Sequence, residues 1–264
     1  MDVIREYLSK CRDLVDTIEL QEQKIKEAAN WFAETIVNGR MVHLFGSGHS
    51  RIMVEEMWPR YGSYPGFNPI VELSLSFHNL VVGANGQRQA MFIENVSGLA
   101  DKILRNFDTS TLDSALIISS SGCNIVPIEM AEIFKSKGIK VVAIITKSHA
   151  EKSTSKRADG KKLTDFADLV LDTGAPVGDA MITIPNLETP VSPGSTVGGA
   201  IIVNSIKAEL AKILTKLGHP PIVLSGSVVV GDKKAKELFE RAYDEHAYRL
   251  ANLYKNVGYN KEKK

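Results

Sequence analysis

The chain is short of cysteine, of net charge and of long apolar runs, and each shortage excludes something. Only Cys11 and Cys123 occur in 264 residues. They are far apart and form no paired-cysteine zinc pattern, a usage that suits a reducing cytoplasm. The 32 basic and 31 acidic residues leave a formal net charge of +1. So even a balance predicts neither a nucleic-acid nor a membrane partner. No apolar run approaches the roughly 20 residues of a membrane span. The opening Met1-Asp2-Val3-Ile4-Arg5-Glu6 lacks a signal-peptide profile. The histidines, His43, His49, His78, His149, His219 and His246, show no paired metal-ligand spacing, so no metal and no cofactor is expected.

What is present is an alternation of short apolar runs and amphipathic segments. The runs predicted as strands are Val42–Phe45, Pro69–Leu73, Ala115–Ile118, Lys140–Thr146, Leu169–Asp172 and Ala180–Ile184. Helices are expected over Arg51–Trp58, Gln87–Phe107 (weakened by Gly98), Ile125–Lys137, Thr196–Leu217 and Asp232–Tyr254. A stripe of Ile4, Leu8, Cys11, Val15, Ile18, Ile25, Ala29, Phe32 and Ile36, broken only at Glu22, predicts one long helix over 1–37. Such a stripe needs a partner surface: a second subunit is the expected one, and packing within the monomer, against the C-terminal helix, is the alternative. Strands alternating with helices mean an α/β, three-layer αβα sandwich on a mainly parallel sheet. At 264 residues and 44% hydrophobic, one domain with a large core is expected. Its core would run over about 28–218, with a final helix over 232–256 and a soft tail at 260–264.

Two of the predicted strands end in loops of small polar residues. Ala115-Leu116-Ile117-Ile118 runs into Ser119-Ser120-Ser121-Gly122-Cys123-Asn124, and Val42-His43-Leu44-Phe45 into Gly46-Ser47-Gly48-His49-Ser50. Each loop leads into a helix. Serine hydroxyls and backbone N–H groups at a helix N-terminus stabilise an anion without any lysine. One such turn is ordinarily just a helix cap. Two of them at the C-terminal ends of parallel strands define a crevice, the usual ligand site of open α/β sheets. The expected ligand is therefore small and phosphorylated.

Acid/base groups near that crevice are Glu55 and Glu56, on the helix after the first loop, and Glu94, in the apolar-rich Met91–Asn95, where burial raises a carboxyl pKa. His49 lies in the loop itself and is a candidate for direct ligand contact. The basic run Lys147–Lys162 is expected to be a solvated surface loop, His43 a satisfied core residue, and Asp179 a turn residue. Cys123 sits where a helix N-terminus lowers a thiol pKa, but no His–Asp partner marks it as a nucleophile.

Taken together, Gly46–Ser50, Ser119–Asn124 and Val141–Thr146 resemble the sugar isomerase (SIS) domain, over roughly Ala28 to Leu217. Gly174–Ala180 and Ser192–Thr196 are similar to its single-domain, phosphosugar-binding group. The resemblance implies a flavodoxin-like five-stranded parallel sheet, a homodimer or homotetramer, and a phosphorylated-sugar ligand. It implies that Ser119, Ser121 and Asn124 hold the phosphate, and that Ser47, Ser50, Ser195 and Thr196 hold phosphate or sugar hydroxyls. Ser120, Gly122, Gly48 and His49 complete the two loops. Asn124 stands where the family usually has Ser or Thr; an asparagine still caps a helix and donates to an oxygen.

Glu56-Met57-Trp58-Pro59-Arg60-Tyr61-Gly62 resembles the glutamate-bearing stretch of the N-acetylmuramic acid 6-phosphate etherases, and Gln89–Asn95 resembles the segment carrying their second glutamate. That comparison makes Glu56 and Glu94 the catalytic candidates. Phosphoheptose isomerases share the two loops, but their histidine on the last core helix has no counterpart between Thr196 and Leu217. Three functions remain open: an aldose–ketose isomerase of sugar phosphates, an etherase-type lyase, and a non-catalytic sugar-phosphate sensor.

Overall fold

A computed structural model describes residues 2–76 and 85–257. Its centre is a sheet of five parallel strands, β1 (Val42–Gly46), β2 (Phe67–Pro69), β3 (Ser114–Ile118), β4 (Lys140–Ile145) and β5 (Leu169–Asp172), in the order β2-β1-β3-β4-β5. That is the flavodoxin-like doubly wound order. A separate antiparallel ribbon joins β6 (Ala180–Ile182) to β7 (Val191–Pro193).

Side chains alternate between the two faces, and each face has its own core. Leu44, Leu116, Ile118, Val142 and Ile144 meet α1 (Val3–Glu19), α2 (Glu22–Val37), α3 (Arg51–Met57) and α9 (Ser195–Lys216). Phe45, Ala115, Ile117, Val141 and Ala143 meet α4 (Leu73–Ser76), α6 (Leu99–Leu104), α7 (Ile125–Ser136) and α8 (Lys147–Lys152). Every residue of β1 and β3 is buried, as strands covered on both sides must be. The remaining helices are α5 (Gly86–Ile93), α10 (Ser227–Val230) and α11 (Asp232–Tyr254), the last packing Ala242 and Phe239 onto the first core. No described helix is long and apolar enough to cross a membrane.

Four expectations need correction. The opening helix is two helices, broken at Leu20–Gln21. Gln21 uses its amide as a rung on the end of β5: Nε2 donates to the Asp172 carbonyl at 2.8 Å, and Oε1 accepts from the Asp172 N–H at 2.8 Å. Docking to the sheet bends the chain there and leaves Leu20 89% exposed. The strand expected over Pro69–Leu73 is instead Phe67–Pro69. The Glu72 carboxylate accepts the Leu75 N–H at 2.8 Å and starts α4. The helix expected over Gln87–Phe107 stops at Ile93 and restarts at Leu99. Gly98, at φ 82°, turns the chain while its N–H and the Ser97 hydroxyl are held by Glu129. Ala180–Ile182 does form a strand, but in the ribbon rather than the main sheet.

The basic run Lys147–Lys162 opens as α8, and Arg157 then fastens the following loop to Glu132 and Asp159. His43 is the satisfied core residue expected. Asn68 Nδ2 donates to its Nδ1 at 3.0 Å, so Nε2 carries the proton and faces Asp113 at 3.2 Å. Arg40 closes the network with two bonds to the same carboxylate. His78 and the tail at 260–264 lie outside the described residues.

Candidate functional site

The strand order places the site. From β1 the chain passes to α3 on one face; from β3, the next strand in the sheet, it passes to α7 on the other. Adjacent strands whose chains leave to opposite sides open a crevice at their C-terminal ends. The 47–50 and 119–124 loops line it. Gly46 permits the first loop to fold tightly back, because a Cβ there would lie 2.6 Å from the Ser50 carbonyl oxygen.

The crevice is a cavity of about 630 Å³. Ser47, Gly48, His49 and Ser50 line it from the first loop, Ser119, Ser120, Ser121 and Asn124 from the second, and Ser195 and Thr196 from the start of α9. Glu94 lines it from the end of α5. Gly122 does not. At φ 61° it turns the second loop, and a Cβ built there would point at Leu163 and Ile145 rather than into the crevice.

Glu94 stands between the two loops. Ser47 Oγ donates to its Oε2 at 2.5 Å, and the Asn124 side chain lies near enough to favour its ionised form. Burial pushes the Glu94 carboxyl above the ordinary glutamate range, and these two neighbours only partly offset the rise. Asn124 stands at the N-cap of α7 but its side chain makes no capping bond there.

Other groups close the N-terminus of α7. Ile125 N–H donates to Asn95 Oδ1 at 3.4 Å, Val126 N–H donates to the Glu94 carbonyl at 2.9 Å, and Pro127 has no N–H. The helix end expected from sequence to meet an anion thus has the N–H groups of Ile125 and Val126 already engaged. Ser121 Oγ accepts from the Cys123 N–H at 3.2 Å, which orients its hydroxyl proton outward from that bond. Cys123 itself is buried, and burial raises its thiol pKa despite Lys162 and Lys156 nearby, the opposite of the helix-terminus expectation.

Asp179 closes the start of α9. Its Oδ1 accepts from the N–H groups of Gly194 at 3.1 Å and Ser195 at 2.6 Å, and its Oδ2 accepts from the Ser195 hydroxyl at 2.8 Å. An internal carboxylate thus occupies the position an anion takes at a helix N-terminus. Ser195 borders the crevice but is engaged by Asp179.

Glu56 lies elsewhere. With Glu55 it lines a second cavity of about 730 Å³ between α3 and α11, walled by Tyr61, Phe239 and Tyr243. Its carboxylate is held by Arg60 and by Asn204 Nδ2, the latter at 2.8 Å, and its carbonyl accepts from Lys207 Nζ at 2.6 Å. Burial opposes ionisation of Glu56, but these partners outweigh it and hold the group below the usual carboxylate range. Glu55 pairs with Arg51 at 2.5 Å.

Several lining residues were missed in the sequence: Met53, Gln87, Met91, His149, Gly178 and Pro193. Gln87, Met91 and Glu94 fall at i, i+4 and i+7, a one-face helical spacing that was available to find the first two. His149 follows β4, the next strand after β3, and the strand-end rule points to it. Among the described residues, no three His, Cys, Asp or Glu side chains converge as a metal site.

A family model described as the SIS domain matches residues 6–146. Among curated proteins, UPF0309 protein lin2794 of Listeria innocua is 34% identical over 231 residues, covering 87% of this chain and 91% of its own. UPF0309 protein BH3325 of Halalkalibacterium halodurans is 35% identical over 220 residues, covering 83% and 88%. Among solved structures, a phosphoheptose isomerase from Francisella tularensis superposes with a TM-score of 0.50 at 15% identity, over 80% of this chain and 97% of that one, which is a likeness of fold.

Proposed function

Because this chain belongs to the SIS domain family, we propose that its crevice binds a phosphorylated sugar and that Glu94 moves a proton between neighbouring carbons of it, as in an aldose–ketose isomerase. The observation that carries this reading is the Glu94 carboxyl. It is half-buried, raised in pKa, bonded to a serine of one loop and close to the asparagine of the other, beside a run of three serines.

The serine hydroxyls and loop N–H groups supply donors to a phosphate at the strand ends. No lysine or arginine is among the residues described as lining the crevice, so the phosphate is held by hydrogen bonds. The sugar chain then extends beside Glu94. As carboxylate, Glu94 takes the proton from the carbon next to the carbonyl, leaving an enediolate whose remaining hydroxyl proton passes from its own oxygen to the former carbonyl oxygen. As carboxylic acid, Glu94 returns its proton to the former carbonyl carbon, and the oxygen that lost its proton becomes the new carbonyl. A raised pKa makes this carboxyl a stronger base than an ordinary glutamate and lets it hold its proton to a higher pH, which suits a group that must accept and then release a proton.

An etherase-type reaction uses two glutamates on one substrate, whereas Glu56 and Glu94 line different cavities of this chain. The oligomer belongs to the same proposal. Ile4 and Leu8 of α1 are 66% and 49% exposed, an apolar strip that a second copy would cover.

The test is thermal stability of the full chain against sugar phosphates, their unphosphorylated parents and free phosphate, followed by turnover assays on the hits. A ligand at 100 times its Kd adds about 2.7 kcal/mol. Stabilisation by a phosphorylated sugar and not by its parent supports the site, and Glu94→Gln is expected to cut turnover by about 10²–10⁴ while ligand still binds. Stabilisation without turnover of any sugar phosphate means a sensor. No stabilisation by any of them overturns the phosphosugar reading.

A further inference from the structure

His149 is a titratable side chain of the crevice that the proposed reaction leaves unused. It sits in the first turn of α8, half-buried, and lines the cavity. Its Nδ1 accepts the backbone N–H of Gly178 at 3.1 Å. A backbone N–H can only donate, so Nδ1 carries no proton and the ring's proton lies on Nε2. Nδ1 therefore faces the 173–179 loop, and Nε2–H is the donor the ring has left to offer.

The orientation is fixed from both sides. Ser148, the preceding residue, donates its hydroxyl to the Ala175 carbonyl at 2.9 Å, so two successive residues of α8 are stitched to the same loop. On the helix side, the His149 carbonyl accepts both the N–H and the hydroxyl of Ser153. Asp179, a carboxylate in the same lining, is committed to Gly194 and Ser195. The donor is left for a ligand.

Position decides which part of the ligand it meets. The serine loop follows β3, and His149 follows β4, the next strand, roughly 4.8 Å to the side. A phosphate on Ser119–Ser121 would put the rest of the molecule within reach of a side chain there. We propose that His149 determines specificity for the sugar, donating its Nε2–H to a hydroxyl or carbonyl oxygen of the carbon chain and leaving the phosphate to the serines. This rests on the phosphosugar reading above.

Two substitutions divide the ring's functions. In His149→Asn the amide oxygen can stand where Nδ1 stood and keep the Gly178 bond, but nothing reaches the Nε2 position. In His149→Gln the amide nitrogen can stand at Nε2, but the Gly178 acceptor is lost. Calorimetric titration of the full chain would compare inorganic phosphate with the sugar phosphate that stabilises the parent most. The expected result is that His149→Asn loses about tenfold in sugar-phosphate affinity, keeps its affinity for inorganic phosphate, and melts like the parent. His149→Gln is expected to keep most of the sugar-phosphate affinity.

Parent-like sugar-phosphate binding by His149→Asn overturns the proposal. So does equal loss of both ligands in the two variants together with a lowered melting midpoint, because His149 then only holds the loop. A parent that binds no sugar phosphate at all overturns the phosphosugar reading first, a result distinct from these. Nitrogen-15 spectra of the parent's histidines give a check that needs no variant. The expected tautomer has Nε2 protonated and Nδ1 bare, and the reverse tautomer overturns the assignment.

Discussion

Burial keeps the Glu94 carboxyl protonated to a higher pH than an exposed glutamate, and the sign of its effect on stability follows. A raised folded-state pKa favours folding at low pH, and that contribution is lost as pH rises through the folded value. Glu94→Gln is therefore expected to melt above the parent at pH 8 and level with it near pH 4, where glutamate is largely protonated in the unfolded chain too. Melting curves at the two pH values check this. Asp113 runs the other way. Burial alone would raise it, but the bonds from His43 and Arg40 outweigh that and hold it below the usual range. Asp113→Asn leaves Arg40 facing a neutral amide in a buried network, and should cost about 3 kcal/mol at pH 7 by urea unfolding. Because the folded pKa is depressed, that gap should narrow only below about pH 3.9.

At the scale of elements, α9 is the helix on which the crevice depends most. It is 22 residues long, brings Ser195 and Thr196 to the crevice, and is capped by Asp179, which sits at φ 71°. Asp179→Ala removes three hydrogen bonds and places an alanine in the left-handed region, so about 2 kcal/mol of stability should go. Asp179→Asn keeps one acceptor and tolerates that backbone, and should cost less than half as much; denaturant midpoints separate the two. Farther along α9, a Cβ on Gly198 would lie 2.2 Å from the Thr173 carbonyl oxygen, so the helix start passes β5 only because that residue is glycine. The helix breaks are the part of this scale that sequence periodicity concealed. The apolar stripe runs on through Leu20–Gln21, and only the docking of Gln21 on the Asp172 backbone bends the chain there.

For the whole molecule, the exposed strip on α1 predicts self-association. Leu8, 49% exposed and on the helix that packs against α9 and β6, is expected to lie at a subunit contact. Leu8→Glu should shift the sedimentation of the full chain toward the monomer without lowering its helical content. A parent that sediments as a monomer at assay concentration removes the oligomer from the reading.

The sequence by itself determined the class of fold and the two loops of the crevice. Both are local in origin: isoleucine-rich runs buried on both faces demand a parallel sheet, and small polar residues at strand ends demand turns. It also singled out Glu94, because a carboxylate in an apolar segment is costly wherever that segment goes. What only the tertiary structure decided is which groups share a cavity. Glu56 and Glu94 have similar local settings, yet the side of α3 that holds Glu56 faces α11, while the end of α5 faces the strand ends. His149 is one histidine among six until β4 takes its place beside β3 and the 173–179 loop supplies Gly178. Strand order, the partner each helix face meets, and the tautomer of a ring are set by contacts between residues distant in the chain, and no local pattern encodes them.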